Sequence, residues 1–567
     1  MDRIKKIWPF LLGLALSISL LWPLFAAPTF TRHDDVEIIR LYEMDRCFKD
    51  HQIPCRWVPD LGGMYGYPLF NYYAPLPYYF GEFIYFITHS LIISSKVMFI
   101  FSFLGSYIFM YLLARKFWGN LGGSLSAIFY SFAPYHALDF YVRGAMGEMW
   151  GLMLFPAVFW AVVKISEEQK ISNLLLLAIS LAALFTSHNI SAMVFLPFYL
   201  IWNLVLFLKN RSKKFLFFGA GSFTLGVLLS AFYLFPATLE KDLVHLETTV
   251  EGYFSYTEHF EGLKRLIVDR SWGYGSSVRE VPGGERDLLS YQIGWIHLLG
   301  LILALVSAKI FWSKNKQLSW IIIFCSVSVA FLIFMIHPRS VFVWGLIEPL
   351  KYLQFPWRLL QPLIFFISLI AGSILVWVRR KKEVMLLLIL LVVVFNFSYF
   401  KPEKFIQTSD EKLLTGSEWE RQIMRSIFDF LPIYAKEPPA KLAKGRYEIL
   451  TGNSKVYDFK EGTNWLNFKT ETQTHTIIRL SKYYFPDWKI LVDGKEIKFD
   501  YQNNSLGLMT ILLGTGNHFV EARLYDTPIR SISNTITAVA MFLTLVIFTL
   551  HFAQVRKWVG YYRKRIN

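Results

Sequence analysis

The chain has 567 residues, of which 54% are hydrophobic and 18% aromatic, and a formal net charge of +16; its mean hydropathy is +0.38. Soluble globular domains do not sustain apolar runs as long and as frequent as these, so the composition excludes that class and indicates a polytopic α-helical membrane protein. The charge does not indicate nucleic acid, because the basic residues sit in short clusters between the apolar runs, such as Arg115 and Lys116, Lys213 and Lys214, Arg379 to Lys382, and Arg563 to Arg565.

Residues 8–27 follow a basic start and are longer than the apolar core of a cleaved signal, so they read as a retained first span. Further apolar runs lie at 95–114, 120–135, 149–165, 172–187, 190–208, 215–236, 292–311, 318–336, 359–378, 384–400 and 532–553. Twelve spans place every basic cluster on the side of the N-terminus, which the positive-inside rule makes the cytoplasm. The run at 75–93 breaks that alternation if counted, so it reads as an interfacial or re-entrant helix.

The same parity puts four segments outside: residues 28–94, the turn around "APYHALDFYVRGAMGEMW", residues 238–291, and "HPRSVFVWGLIEPLKYLQFPWR". A fifth external block, residues 401–530, is long enough for a domain. It opens with a helix-like stretch, "SEWERQIMRSIFDFL", and from about residue 446 turns to short alternating runs. The pair Asp493-Gly494 between two such runs signals a hairpin, and the block reads as a small β-sandwich tethered by the last span. The expected division is therefore 1–400, 401–530 and 531–567.

Cys47, Cys55 and Cys325 are too few for a disulfide scaffold or a metal cluster. Cys325 lies in an apolar run, whereas Cys47 and Cys55 share the first external loop, where the sequence leaves a bridge open.

His33, Asp34 and Asp35 stand directly after the first span, at the start of a helical pattern. Aspartate is a favoured N-cap, and one suffices for a cap, leaving a second carboxylate to accept a proton or bind a cation. The following "IPCRWVPDLGGMYGYPLFNYYAPLPYY" joins turn-forming Gly and Pro to flat aromatic rings, as a sugar-binding or lipid-edge loop would; an interfacial aromatic belt is the structural alternative. Arg143, Glu148, Asp269, Arg270 and Arg358 lie at outer ends of spans, where arginine is suited to a phosphate, and snorkelling or an Arg143 to Glu148 ion pair is the plainer account. His188 and Asn189 read first as a polar turn.

Taken together, "RHDD", "RWVPDLGGMYGYPLFNYYAPLPYY", "YVRGAMGE", "SHN", "RSWGYGSS", "LQFPWRLL" and "YYFPDWKILVDGKE" resemble bacterial membrane proteins labelled pyruvoyl-tetrahydropterin-synthase-related, although no pterin-enzyme pattern is present. These in turn resemble GT-C glycosyltransferases, which use polyprenyl-phosphate sugars outside the cytoplasmic membrane. The resemblance implies a GT-C-like bundle of about twelve transmembrane helices with an extracytoplasmic β-sandwich before the last helix. It also implies a catalytic base or metal ligand at Asp34 or Asp35.

On that reading Arg143, Arg270 and Arg358 would bind the donor phosphate, with His33, Glu148, His188, Trp57, Tyr67 and Gln354 in support. The partners implied are a polyprenyl-phosphate-linked sugar, a glycan or lipid acceptor and the bilayer of a bacterial inner membrane, with no nucleic acid. No cofactor is certain. A divalent cation on Asp34, Asp35 and His33 is the metal alternative, and the other external loops lack a DxD-type motif. Trp465 and Trp488 are candidate glycan platforms, with core packing the more frequent role for such residues. Two rival functions are a flippase for lipid-linked sugars, against which the lack of internal repeats weighs, and a non-catalytic scaffold for envelope polymer assembly.

Overall fold

The computed structural model describes residues 2–277, 288–425 and 428–566. Part of the expected loop at 238–291 and residues 426–427 of the helix-like stretch therefore lie outside it. Each apolar run named above lies on helix. Among the described residues, eight helices are long and apolar enough to cross a membrane, or nine when Lys213–Leu229 and Ala231–Leu239, bent by 74°, are counted as one span.

The helix Leu91–Ser131 doubles back on itself. Gly119 has φ +71° and ψ −176°, a conformation essentially restricted to glycine. The halves then lie side by side, with Tyr107 Oη 3.5 Å from Ser124 Oγ. This hairpin corresponds to the separate runs at 95–114 and 120–135. Its turn and second half pack against Leu360–Ala371, where the Trp118 indole, just before the turn, and the Ser126 hydroxyl, just after it, both donate to Leu369 O, at 2.7 and 2.9 Å.

The segment expected to lie at the membrane surface is the helix Leu76–Thr88, ended by His89 in the left-handed conformation. Phe83, Phe86 and Ile87 are exposed on one side of it while Tyr78 and Gly81 are buried on the other, an arrangement suited to an interfacial helix.

At the loop-bearing end of the bundle sits a β-sandwich. Its five-stranded sheet runs in the order Ser454–Glu461, Trp465–Thr472, Gly516–Leu524, Trp488–Val492, Lys495–Ile497, and its three-stranded sheet in the order Tyr447–Thr451, Thr476–Tyr483, Leu508–Leu513. Val492 pairs with Lys495 across Asp493 and Gly494, both at positive φ, which is the hairpin geometry that the Asp-Gly pair signalled. Inward residues such as Phe468, Ile478, Ile490 and Val520 are fully buried and form the core between the sheets.

The Gly/Pro/aromatic stretch of the first loop holds this sandwich to the bundle. Trp57 is buried against Phe485 and Trp488, with ring centroids 6.0 and 5.8 Å apart. Val58 and Tyr67 form a bridge, and Gly66 between them leaves no room for a side chain, since a Cβ there would fall 2.7 Å from Trp57 Nε1. Cys47 and Cys55 are joined by a disulfide inside the same loop, and Cys325 is free and buried. Asp50 completes the seam: its carboxylate accepts from the Thr463 N–H at 2.7 Å and the Trp465 indole at 2.9 Å. Both candidate platform tryptophans are thus engaged in packing.

Two further contacts fold residues 401–431 over the first loop. Thr29 and Phe30 pair with Ile406 and Phe405 in a two-stranded ladder, and the Asp410 carboxylate accepts from Leu91 N and Ile92 N at 2.9 and 3.0 Å, capping the hairpin helix from outside.

Candidate active site

The two adjacent aspartates of the opening motif have different surroundings. The helix after them is Glu37–Lys49, with Val36 at its N-cap and no side-chain cap, so neither Asp34 nor Asp35 caps it. Asp35 forms ion pairs with Arg425 and Arg421, the latter at 2.8 Å. Asp34 is exposed and lines a cavity of about 790 Å³. Its position is set by backbone, since His33 N and Asp34 N donate to Val142 O and Arg143 O at 3.0 and 2.8 Å.

A buried charged cluster, also lining this cavity, is centred on Glu148. Its carboxylate accepts from Arg143 Nη1 and Nη2, both at 2.7 Å, from Arg358 Nε at 2.8 Å, from Gln361 Nε2 at 2.6 Å and from Tyr135 Oη at 3.1 Å. Asp139 takes a further bond from Arg143 Nη1 at 2.5 Å. Two guanidinium groups withdrawn from water need such partners, and the two carboxylates let both arginines sit at a cavity wall without an uncompensated charge.

Aromatic faces hold the same groups in place. Arg143 lies over Trp357 and Arg358 over Phe355, at 4.7 and 4.6 Å, and those two rings are stacked 4.9 Å apart. Arg358 Nη1 donates to Leu353 O at 2.9 Å and Gln354 Oε1 at 2.7 Å. Gln354 has φ +63°, a strained conformation for a residue other than glycine, of the kind found where position matters more than comfort.

His188 extends the network. Its Nδ1 accepts from Ser191 N at 3.1 Å and lies 2.7 Å from Ser191 Oγ, and that hydroxyl donates to Gln361 Oε1 at 2.7 Å. Burial pushes the imidazole down to about 4, so the ring is neutral at pH 7 and, with Nδ1 committed as an acceptor, carries its proton on Nε2. His33 is used differently: its Nε2–H donates to Tyr274 O at 2.7 Å, and Arg425 Nη2 donates to His33 O at 2.9 Å.

One cavity therefore gathers His33, Asp34, Arg143, Glu148, His188, Gln354 and Arg358. Asp35, Arg270, Trp57 and Tyr67 are not among its lining residues. Arg270 donates to Phe395 O at 2.9 Å and to Tyr399 Oη at 3.2 Å, between the Trp295 and Phe395 rings. A cation site on Asp34, Asp35 and His33 does not fit this geometry, because Asp35 faces two arginines and His33 Nε2 faces a carbonyl. Among the described residues no three His, Cys, Asp or Glu side chains cluster as metal ligands.

The cavity also holds residues that the motifs did not single out: Arg40, stacked at 4.0 Å over Tyr73, and Arg425, Lys241 and Asp429. Beneath Arg40, Glu37 is buried, accepts from Tyr78 Oη at 2.5 Å, and is pushed up to about 7 by that burial. A carboxylate one helical turn before an arginine on an apolar face was a legible signal for this pair.

A second, apolar cavity of about 1010 Å³ adjoins the first. It lies between helices Asn189–Asn210 and Lys316–Ile336, with Phe198, Ile201, Trp320 and Phe331 among its walls. Met193 lines both cavities. Leu353 and Leu359, on its wall, flank Gln354 and Arg358 on the wall of the polar one.

Residues 70–278 match the family described as the 6-pyruvoyl-tetrahydropterin synthase related domain, a membrane protein. That domain includes Arg143, Glu148 and His188, whereas Asp34, Gln354 and Arg358 lie outside it. A protein of Lactococcus lactis subsp. cremoris (strain MG1363) described as uncharacterized is 28% identical over 197 residues, 33% of this chain and 32% of that one. The chain thus spans about a third of the length of this curated relative. Two solved structures are similar: the mycobacterial arabinofuranosyltransferase AftD (TM-score 0.45, 14% identity, 70% of this chain and 27% of that one) and ArnT from Cupriavidus metallidurans bound to undecaprenyl phosphate (TM-score 0.40, 11% identity, 68% and 64%).

Proposed function

We propose that the protein is a membrane glycosyltransferase that moves a sugar from a polyprenyl-phosphate donor to an envelope glycan or lipid acceptor. The observation that carries this reading is the junction at Met193, where a charged cavity containing Asp34 meets an apolar groove at the helix surface. A ligand filling both is an amphiphile with a long apolar tail and an anionic polar head. In this reading the site opens on the extracytoplasmic face of a bacterial cytoplasmic membrane, and residues 401–530 form the external domain.

The chemistry follows from the side chains. Asp34 accepts the proton of the acceptor hydroxyl as its oxygen bonds to the anomeric carbon. The bond from that carbon to the phosphate oxygen breaks, and the lipid phosphate leaves with the electron pair. Arg358, whose Nη2 is not used by Glu148, Leu353 or Gln354, stabilises the charge that develops there, with Arg143 beside it. His188 donates from Nε2 to a donor oxygen.

The test incubates purified protein with radiolabelled polyprenyl-phosphate sugars and membrane glycan acceptors. Transfer by the parent and its loss in Asp34→Asn, with donor still bound, supports the proposal. Donor binding with no transfer by the parent overturns it in favour of a flippase or scaffold.

A further inference from the structure

A second polar pocket, of about 220 Å³, lies where the first loop, the sandwich and the last helix Pro528–Ile566 meet. It shares no lining residue with the cavity of Asp34. Arg56, Arg523, Asp526 and Arg530 are on its walls. Arg530 is 1% exposed and Arg56 6% exposed.

These arginines are incompletely satisfied. Arg530 donates through Nε to Glu240 Oε2 at 2.8 Å, but its buried Nη2 has no hydrogen-bond partner. Arg56 donates to Asn71 Oδ1 and Phe232 O at 2.9 Å each and to Asn534 Oδ1 at 2.7 Å. Its Nε is without a hydrogen bond, with Asp526 Oδ1 3.6 Å away. Buried donors of this kind normally have acceptors, so two at one pocket point to a missing anion.

One more feature adds positive potential. Arg523, exposed and 5.8 Å from the Tyr525 ring centre, supplies a third guanidinium. Against these three guanidinium groups stand two carboxylates, the exposed Asp526 on the wall and the buried Glu240 paired with Arg530, which leaves one positive charge in excess. Residues Pro528–His551 are long and apolar enough to cross a membrane, and a helix that crosses over that length would carry its first turn at headgroup depth.

We propose that this seam pocket binds a phosphate group at the membrane surface, from either a phospholipid headgroup or a water-soluble phosphorylated glycan unit. The guanidinium fork matches phosphate geometry, and the bound group supplies the acceptor that Arg530 Nη2 lacks. It also ties the first loop and the sandwich to the last helix. The site is independent of the transfer reaction and stands whether or not that reading holds.

The test uses the full chain in dodecyl maltoside, which carries no phosphate, and follows thermal unfolding with short-chain phosphatidylglycerol or with glycerol 3-phosphate. Arg530→Gln should abolish the response but also breaks the pair with Glu240, so two exposed positions make the test decisive. Arg523→Ala is expected to raise the half-effect concentration about tenfold and Asp526→Asn to lower it. A response to the lipid alone identifies a headgroup site, and a response to both probes a site that also takes soluble phosphates. No response to either probe, or the same response in parent and both variants, overturns the proposal.

Discussion

Asp34 and Arg143 are joined through their main chains, the Asp34 N–H donating to Arg143 O at 2.8 Å. The Asp34 carboxylate, which has no ion pair among the described residues, and the arginine cluster are therefore fixed to one another by backbone, and in the proposed reaction the gap between them is where the sugar phosphate sits. Holding base and anion partner in a fixed relation is what orientation contributes to catalysis.

The first prediction separates the two aspartates. Asp34→Asn should lower transfer by about 100-fold or more while leaving donor affinity largely intact. Asp35→Asn should keep most activity, because it loses only a partly exposed pair with Arg421 and Arg425, an interaction of roughly 1 kcal/mol or less. Single-turnover rates and donor binding on both variants check this.

Glu148 is expected to be needed for folding as well as function. Glu148→Leu leaves Arg143 and Arg358 buried without their shared carboxylate, which should cost about 3–5 kcal/mol. Glu148→Gln, which keeps an acceptor oxygen, should cost less. Thermal unfolding in detergent measures both.

Met193 should act on the lipid rather than on the sugar. Met193→Trp narrows the passage between groove and cavity, and should weaken binding of a long polyprenyl-phosphate sugar about tenfold. A short-chain analogue that does not reach the groove should bind as before. Equal losses for both donors would refute the continuous path.

Stability should depend on pH through Glu37. Its carboxyl holds a proton up to about pH 7 in the fold, against an ordinary value of 4.5. A group that binds its proton more tightly when folded stabilises below its ordinary value, and that contribution, up to roughly 3 kcal/mol, is lost as pH rises from 4.5 to 7. Glu82 and Glu261, also pushed up to about 7 by burial, contribute in the same window, so Glu37→Gln should reduce the slope of the unfolding profile rather than abolish it, and an unchanged profile would refute the assignment.

Much of the architecture was legible because its signals are local. Each apolar run lies on helix, the Asp493-Gly494 turn marked a real hairpin, and the run at 75–93 became a short helix with an exposed aromatic side. The site was only partly legible, because side chains of one type are told apart by distant neighbours. Asp34 and Asp35 are adjacent in the chain, yet Asp35 is taken up by Arg421 and Arg425 while Asp34 faces the cavity. Arg270 and Arg358 both end spans, yet one is taken up by Phe395 and Tyr399 and the other by Glu148. Trp57 and Tyr67 belong to a docking surface that exists only once the sandwich has formed.

The ladder between Thr29–Phe30 and Phe405–Ile406 has a consequence for biogenesis. The contact from Lys404 N to Thr31 Oγ1 joins positions 373 residues apart. In a growing chain residues 29–31 are made early, but the start of the first loop waits for this clamp until residues 404–406 have been added. A chain cut short before residue 404 would keep the bonds of His33 and Asp34 to Val142 and Arg143 but lack this clamp, so the ladder makes the entry to the first loop depend on residues added late in synthesis.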